Sequence, residues 1–335
     1  MRTAGRSVLI RCELEWVARV IEETCGGDLR RSPATAPDLE IHIESNGERF
    51  PVDGWAPVAR GAWMRDNVVM IEDVCTTGFD MLVSIQDGSA TLTFRWRPSP
   101  RSRAAFVGLR SRWHLLARAV LMQFPSMWWA EAHGASPVHA AACTAGRATP
   151  LIGGAAGVGK TTLLLNELAA GERATSDNLN VLDGTTAWGV VEPIRVEGAG
   201  GRKMPHGRRE MSMPNRVESL TPDCVVILQR AAGTSYVRPC PPERAARALV
   251  TGTLMAGELR RYWPYAATLS AGTGVGPAST ELNSTVTRLT RQLPCVEVAL
   301  QRTHNAFLAD LLDGIADRGR GRPQRLVAIG EDWLG

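Results

Sequence analysis

The stretch Gly153-Gly154-Ala155-Ala156-Gly157-Val158-Gly159-Lys160-Thr161-Thr162 constrains this chain more than any other segment. From Gly154 to Thr161 it reads G-x-x-x-x-G-K-[ST], the phosphate-cradling P-loop pattern. Glycines let the backbone turn several N–H groups toward one anion, and a following helix N-terminus adds partial positive charge. The pattern assigns Gly154, Ala155, Ala156, Gly157, Val158, Gly159, Lys160, Thr161 and Thr162 to nucleotide binding. Within it, Lys160 reaches the outer phosphates and the Thr161 hydroxyl ligates Mg2+. The flanks agree, because residues 149–152 are apolar, as a buried strand requires, and residues 162–170 carry a helical pattern. Of 38 Lys and Arg residues only Lys160 and Lys203 are lysines. In a chain that writes positive charge as arginine, a compact ammonium stands where a phosphate needs a point charge.

A length of 335 residues predicts about two domains. Hydrophobic content of 44% and charged content of 21% describe an ordinary globular chain, and a net charge of +4 is too small to imply nucleic acid. No stretch approaches the ~20 apolar residues of a membrane span. Residues 1–20, punctuated by Arg2, Arg6, Arg11, Glu13 and Glu15, lack a signal-peptide core. The expectation is a cytoplasmic protein with no membrane partner. Seven dispersed cysteines with no C-x-x-C pair read as isolated thiols, and the ten tryptophans as packing residues.

Residues 8–22 read as one amphipathic helix, broken by Cys25-Gly-Gly-Asp. Residues 38–97 alternate as strands, with turn signals at Asn46-Gly47 and Asp87-Gly88, and predict a small, mostly antiparallel domain over residues 1–100. After a hinge-like Pro98-Ser-Pro-Arg-Ser, residues 101–135 read as a connecting helix that braces two domains. A second domain covers residues 136–316. In it, strands are expected at 137–143, 149–152, 174–182, 186–191, 224–228 and 295–298, with later helices at 242–255 and 279–291. Residues 317–335, rich in Arg and Gly, read as a mobile tail.

The series V-H-A-A-A, G-G-x-A-G-V-G-K-T-T-L, S-D-N-L-N-V and W-G-V-V-E-P-I-R, spread over residues 138–195, resembles the catalytic domain of the HPr kinase/phosphorylase family. The resemblance covers roughly residues 136–300 and is densest in the first sixty. It implies an α/β P-loop domain of the HPr-kinase/PEP-carboxykinase-like kind, preceded by a smaller, mainly β domain that matches no pattern of the family. By position, Lys160 falls on the phosphate-binding lysine and Thr161 on the Mg2+ hydroxyl. Asp177 falls on the aspartate that takes the acceptor's proton, which suits a carboxylate at a strand end beside the loop. The chain departs at Asn178, where the family has a second, metal-holding aspartate. An amide oxygen can ligate Mg2+ but brings no charge, so Glu192 is the compensating candidate. His139 matches the histidine before the loop strand; it either contacts the γ-phosphate, positions Asp177 or simply packs. The Gly-rich basic segment 198–209 offers Arg202 and Lys203 for transition-state charge, or is a solvated loop. It lacks the interleaved aromatics of a nucleic-acid surface.

The leading expectation is an ATP- and Mg2+-dependent kinase whose acceptor is a hydroxyl of a protein, a peptide or a small metabolite, with phosphorylase activity in greater doubt. The competing expectation is a nucleotide-binding regulatory or assembly protein without phosphotransfer. That alternative stays open because Asn178 lacks charge and Cys224-Val-Val-Ile-Leu ends in Gln229 rather than an acid. A GTPase-like or motor ATPase is weakest, because no Asn-Lys-x-Asp signature occurs. Homo-oligomerisation is left open.

Overall fold

The structure is a computed structural model that describes residues 1–29, 36–196, 201–204, 207, 209–232, 235–277, 279–301, 307–316 and 324–325. It is a mixed α/β architecture with sheets of eight, seven, four and three strands.

The eight-stranded sheet occupies the first third of the chain, in the order Arg2–Thr3, Arg6–Cys12, Leu39–Glu44, Ser89–Trp96, Phe79–Gln86, Val68–Ile71, Ala62–Arg65, Ala56–Ala59. One expectation fails here. Residues 8–22 are not one helix, because Arg6–Cys12 is a strand and the helix runs Glu15–Cys25. Val8-Leu-Ile-Arg-Cys12 gains a parallel partner in Leu39–Glu44, and that ladder outweighs the local helical spacing. The helix then crosses between the two strands, burying Val17, Val20, Ile21, Thr24 and Cys25 on one stripe. Leu39–Glu44 also runs parallel to Ser89–Trp96, but the other five of the seven strand pairings are antiparallel, so the sheet is mostly antiparallel as expected.

The expected connecting helix is interrupted. Pro100–Gly108 and Arg110–Arg118 meet at Leu109, whose φ of −119° and ψ of 39° are not helical. A π-helical turn, Ala119–Gln123, leads into Phe124–Glu131. Pro125 has no N–H to give, and the wider turn is one way a helix absorbs that loss. Every residue from Ala119 to Glu131 is buried, so this stretch is a core element. One hydrophobic core gathers Phe79, Phe94, Trp128 and Trp129 with Val181, Val191, Tyr262 and Leu269, joining residues from both sides of position 100.

The seven-stranded sheet carries the glycine-rich loop. Its order is Ala174–Ser176, Ala141–Cys143, Pro150–Gly154, Cys224–Arg230, Cys295–Leu300, Tyr236–Pro239, Gln324–Arg325. Pro150–Gly154 and Cys295–Leu300 each run parallel to Cys224–Arg230 between them, and both are wholly buried, which accounts for their apolar character; the one charge, Glu297, is paired with Arg238 and Arg244. Helices Lys160–Ala169, Pro242–Leu254 and Leu282–Gln292 fall within a few residues of expectation, whereas Tyr262–Thr273 was not foreseen. The segment expected as a tail lies outside the described residues except for Gln324–Arg325, which pairs with Tyr236 and Val237.

Two expected strands are each divided between sheets. Ser136–His139 pairs with Leu179–Asp183 in the four-stranded sheet, whereas Ala141–Cys143 joins the loop strand. Likewise Ala174–Ser176 lies in the loop sheet and Leu179–Asp183 in the other, so Asp177 and Asn178 occupy the crossing. Asn180 ties the two crossings together. Its Nδ2 donates to the Ala140 carbonyl at 2.8 Å and its Oδ1 accepts from Thr175 Oγ1 at 2.6 Å. Both bonds are buried, so losing the amide leaves polar groups without water. Asn180→Ala should therefore destabilise the protein by about 3 kcal/mol in denaturant unfolding.

Candidate functional site

The loop begins where Gly154 ends its strand. A Cβ there would stand 2.6 Å from the Leu228 carbonyl oxygen, so only glycine lets the chain turn this close to the neighbouring strand. At the other end Gly159 has φ +106°, a conformation that L side chains rarely adopt, and the helix Lys160–Ala169 starts at once. Ala155, Ala156 and Gly157 are exposed at the tip, Val158 is buried beneath it, and Thr162 faces outward from the first turn. The result is a strand, an exposed turn and a helix N-terminus aimed at the same space.

Lys160 is buried, and its Nζ donates to the carbonyl oxygen of Gly154 at 2.8 Å and to that of Ala155 at 3.4 Å. Burial holds this ammonium below its usual pKa, against the pull of Asp177 and Glu258. The Thr161 hydroxyl donates to Asp177 Oδ2 at 2.8 Å, and Asn178 Nδ2 approaches the same oxygen at 3.3 Å. Asp177 Oδ1 is buried and has no hydrogen-bond partner among the described residues. Burial raises the Asp177 pKa, and Thr161, Lys160, Arg195 and Asn178 counter it. A buried carboxylate oxygen without a donor is an unmet requirement for a proton or a cation.

Glu192 lies deeper. Its Oε1 accepts from Ser176 Oγ at 2.7 Å, from the Asn178 N–H at 2.9 Å and from the Leu179 N–H at 3.1 Å. This carboxylate fixes the Ser176 side chain before Asp177 and the main chain after it, although burial pushes its pKa up. Asn178 is half-buried, and its side-chain oxygen accepts no hydrogen bond among the described residues.

His139 ends its strand with its N–H held by Thr253 Oγ1 at 3.0 Å, and its Nδ1 is buried without a partner. Burial, then the Lys160 charge, lowers its pKa to about 4, so the ring is neutral near pH 7. Lys203 is exposed, on a short strand paired with Arg209–Met211, and its side chain forms no ion pair among the described residues. The Arg202 side chain, with residues 197–200, 205, 206 and 208, lies outside the described residues.

No family model matches the chain, and no curated protein matches it.

Three side chains at the site went unread in the sequence. Arg195 lies in the Glu192-Pro-Ile-Arg195 segment and its Nη1 meets Glu258 Oε1 at 3.2 Å. Glu258 carries no motif. Burial would raise its pKa, but its own N–H, Arg195 and His139 together hold it below the usual range. Arg230, at the end of the central strand, reaches the Gly157 carbonyl oxygen at 3.4 Å, putting a cation where an acid was sought. In the Arg260–Trp263 segment both arginines are exposed and Tyr262 is buried. Arg261 binds Cys75 O and Thr76 Oγ1, and the buried Tyr262 hydroxyl donates to Glu131 at 2.7 Å.

Among the described residues no three His, Cys, Asp or Glu side chains converge as a metal cage. Thr161 and Asp177 instead suit a hard cation that keeps most of its ligands as water and phosphate oxygens. No helix of the described residues is long and apolar enough to cross a membrane.

Because His139 has a folded pKa of about 4 against an ordinary 6.5, the unfolded chain binds this proton first as acid is added. Its contribution to stability is complete above pH 6.5 and is lost as the pH falls toward 4, by up to roughly 3 kcal/mol. Thermal unfolding across that window should show a shallower pH slope for His139→Gln than for the unaltered protein.

Proposed function

We propose that this chain is a kinase on an α/β P-loop domain, transferring the γ-phosphoryl group of ATP to a hydroxyl of a protein, a peptide or a small metabolite. One observation carries the reading: Thr161 and Asp177 are joined at 2.8 Å beside the Gly-rich loop, while the second Asp177 oxygen is buried and unpartnered. The resemblance of residues 138–195 to the HPr kinase catalytic domain supports it.

In this mechanism the loop amides and the helix N-terminus receive the phosphates, and Lys160 exchanges the Gly154 carbonyl for phosphate oxygens. Mg2+, held through Thr161 with Asp177 and Asn178 beside it, would supply charge neutralisation at the β- and γ-phosphates. Asp177 Oδ1 takes the acceptor's hydroxyl proton, and burial, by raising its pKa, makes it a better base. The freed oxygen attacks phosphorus in line, the bond to the β,γ-bridging oxygen breaks, and ADP leaves with that electron pair. Glu192 acts from behind by fixing residues 176–179. His139 offers a neutral ring, and Arg195 a guanidinium, to charge developing nearby. Lys203 and Arg202 would contribute only if the 197–208 segment reaches the phosphates.

The test is γ-phosphate transfer from labelled ATP into cell extract, with nucleotide affinity measured alongside. Asp177→Asn should reduce transfer by about a hundredfold or more while nucleotide still binds, whereas Lys160→Ala should weaken both. Nucleotide binding with no labelled product, and turnover unaffected by Asp177→Asn, would replace the kinase with a nucleotide-dependent switch.

A further inference from the structure

A second surface lies away from the loop, and it neither depends on nor follows from the phosphotransfer reading. Between Asp87 and Glu131 the chain holds seven arginines and no acidic residue. Three of these are internally satisfied: Arg95 by Glu44, Arg97 by Asp80 and Arg118 by Glu210. Arg101 and Arg103 are exposed on the helix Pro100–Gly108 and have no ion-pair partner among the described residues. Beside them Phe106, Val107 and Leu109 are 36%, 77% and 52% exposed, and they make up three of the six large apolar side chains exposed among the described residues.

Arg103, Phe106 and Val107 border a concavity of about 690 Å³ whose wall is completed by Gly47, Trp96, Arg97 and Pro98. Its aromatic wall is rigid. Phe106 stacks edge-on against Trp113 at 4.7 Å and lies 5.9 Å from Trp96, and Trp113 Nε1 donates to the Thr77 carbonyl at 2.7 Å. A fixed aromatic hollow flanked by unpaired guanidinium groups has the two parts of a peptide-docking surface, an apolar anchor site and a charged rim.

We propose that this concavity docks an acidic peptide segment, with one aliphatic or aromatic side chain in the hollow and carboxylates on Arg101 and Arg103. Charge complementarity selects the acid, since the nearby Asp73 and Asp80 are engaged by Ser102 and Arg97 while Arg101 and Arg103 have no ion-pair partner among the described residues. The hollow selects a peptide anchor over a flat anionic surface, because a bilayer would meet only its rim. The volume accommodates one or two side chains rather than a folded domain.

The test uses the full chain and a fluorescein-labelled acidic peptide of Asp and Glu with a central Leu-Phe pair, read by anisotropy. Saturable binding is expected, weakened about tenfold when Leu-Phe becomes Ser-Ser and weakened again by added salt. The double variant Arg101→Glu/Arg103→Glu and the single variant Val107→Asp should each lose about tenfold or more. All three positions are exposed, so circular dichroism and melting temperature should not change, and nucleotide binding at the distant loop serves as a second check on folding. The proposal is overturned if the Ser-Ser peptide binds equally well or if the variants bind as the unaltered protein does. It is also overturned if phosphatidylglycerol vesicles or a single-stranded oligonucleotide bind in an Arg101- and Arg103-dependent way while the peptide does not.

Discussion

Backbone polar groups cannot be left dry, and the architecture around the loop follows from how two strands meet that demand while changing sheets. At residue 140 the chain departs the four-stranded sheet for the loop sheet, and at residues 177–178 it departs the loop sheet for the four-stranded one. Each departure frees main-chain groups that no ladder satisfies. The Asn180 side chain takes up the Ala140 carbonyl, and the Glu192 carboxylate takes up the N–H groups of Asn178 and Leu179. Residues at such a crossing belong to neither sheet, so their side chains are free to face the loop. Asp177 stands beside Thr161 because the strand it would have continued ends one residue earlier.

A line of buried charge links this corner to the helical run. Arg118 grips Glu210 with both terminal nitrogens, at 2.8 and 3.0 Å, with each side chain less than 5% exposed. Arg195 Nε lies 3.9 Å from the same carboxylate, and its Nη1 lies 3.2 Å from Glu258. Buried pairs of this kind add little stability over an apolar pair of equal size, yet losing one partner is severe because the other is left charged and dry. Their effect here is orientation. Arg195 is held between two acids from separate segments, one of them fixed by a helix that also packs on the eight-stranded sheet, so any displacement of that helix is felt at the guanidinium.

The features legible in the sequence were those written in local spacing. The glycine pattern, Lys160 and Thr161 stand where their spacing puts them, because a tight turn into a helix is determined by a handful of neighbouring residues. The alternation of Leu39-Glu-Ile-His-Ile43 likewise became a strand with Leu39, Ile41 and Ile43 buried. What escaped was tertiary. Val8-Leu-Ile-Arg-Cys12 fits either period until Leu39–Glu44 offers a ladder, and nothing local marks Ala140 as a crossing between sheets. Arg195 and Glu258 are 63 positions apart and meet only in the fold. Asp177 was visible as a lone carboxylate after a strand, but its unpartnered oxygen is a property of burial that no spacing encodes.

Asn178 acquires a physical rationale in this setting. Asp177 and Glu192 are already two buried acids, and the charge on Asp177 helps to raise the Glu192 pKa. A carboxylate at position 178 would add a third negative group against Asp177 and push its proton affinity up further. The amide does the reverse: its Nδ2 donates toward Asp177 Oδ2 at 3.3 Å and favours the ionised form. On the proposed kinase reading, an amide at 178 gives up a charged ligand for a cation while favouring the ionised form of Asp177. Where burial is the largest influence on the neighbouring carboxylate, a neutral donor at 178 favours the charge state that the proposed proton transfer and cation binding would require.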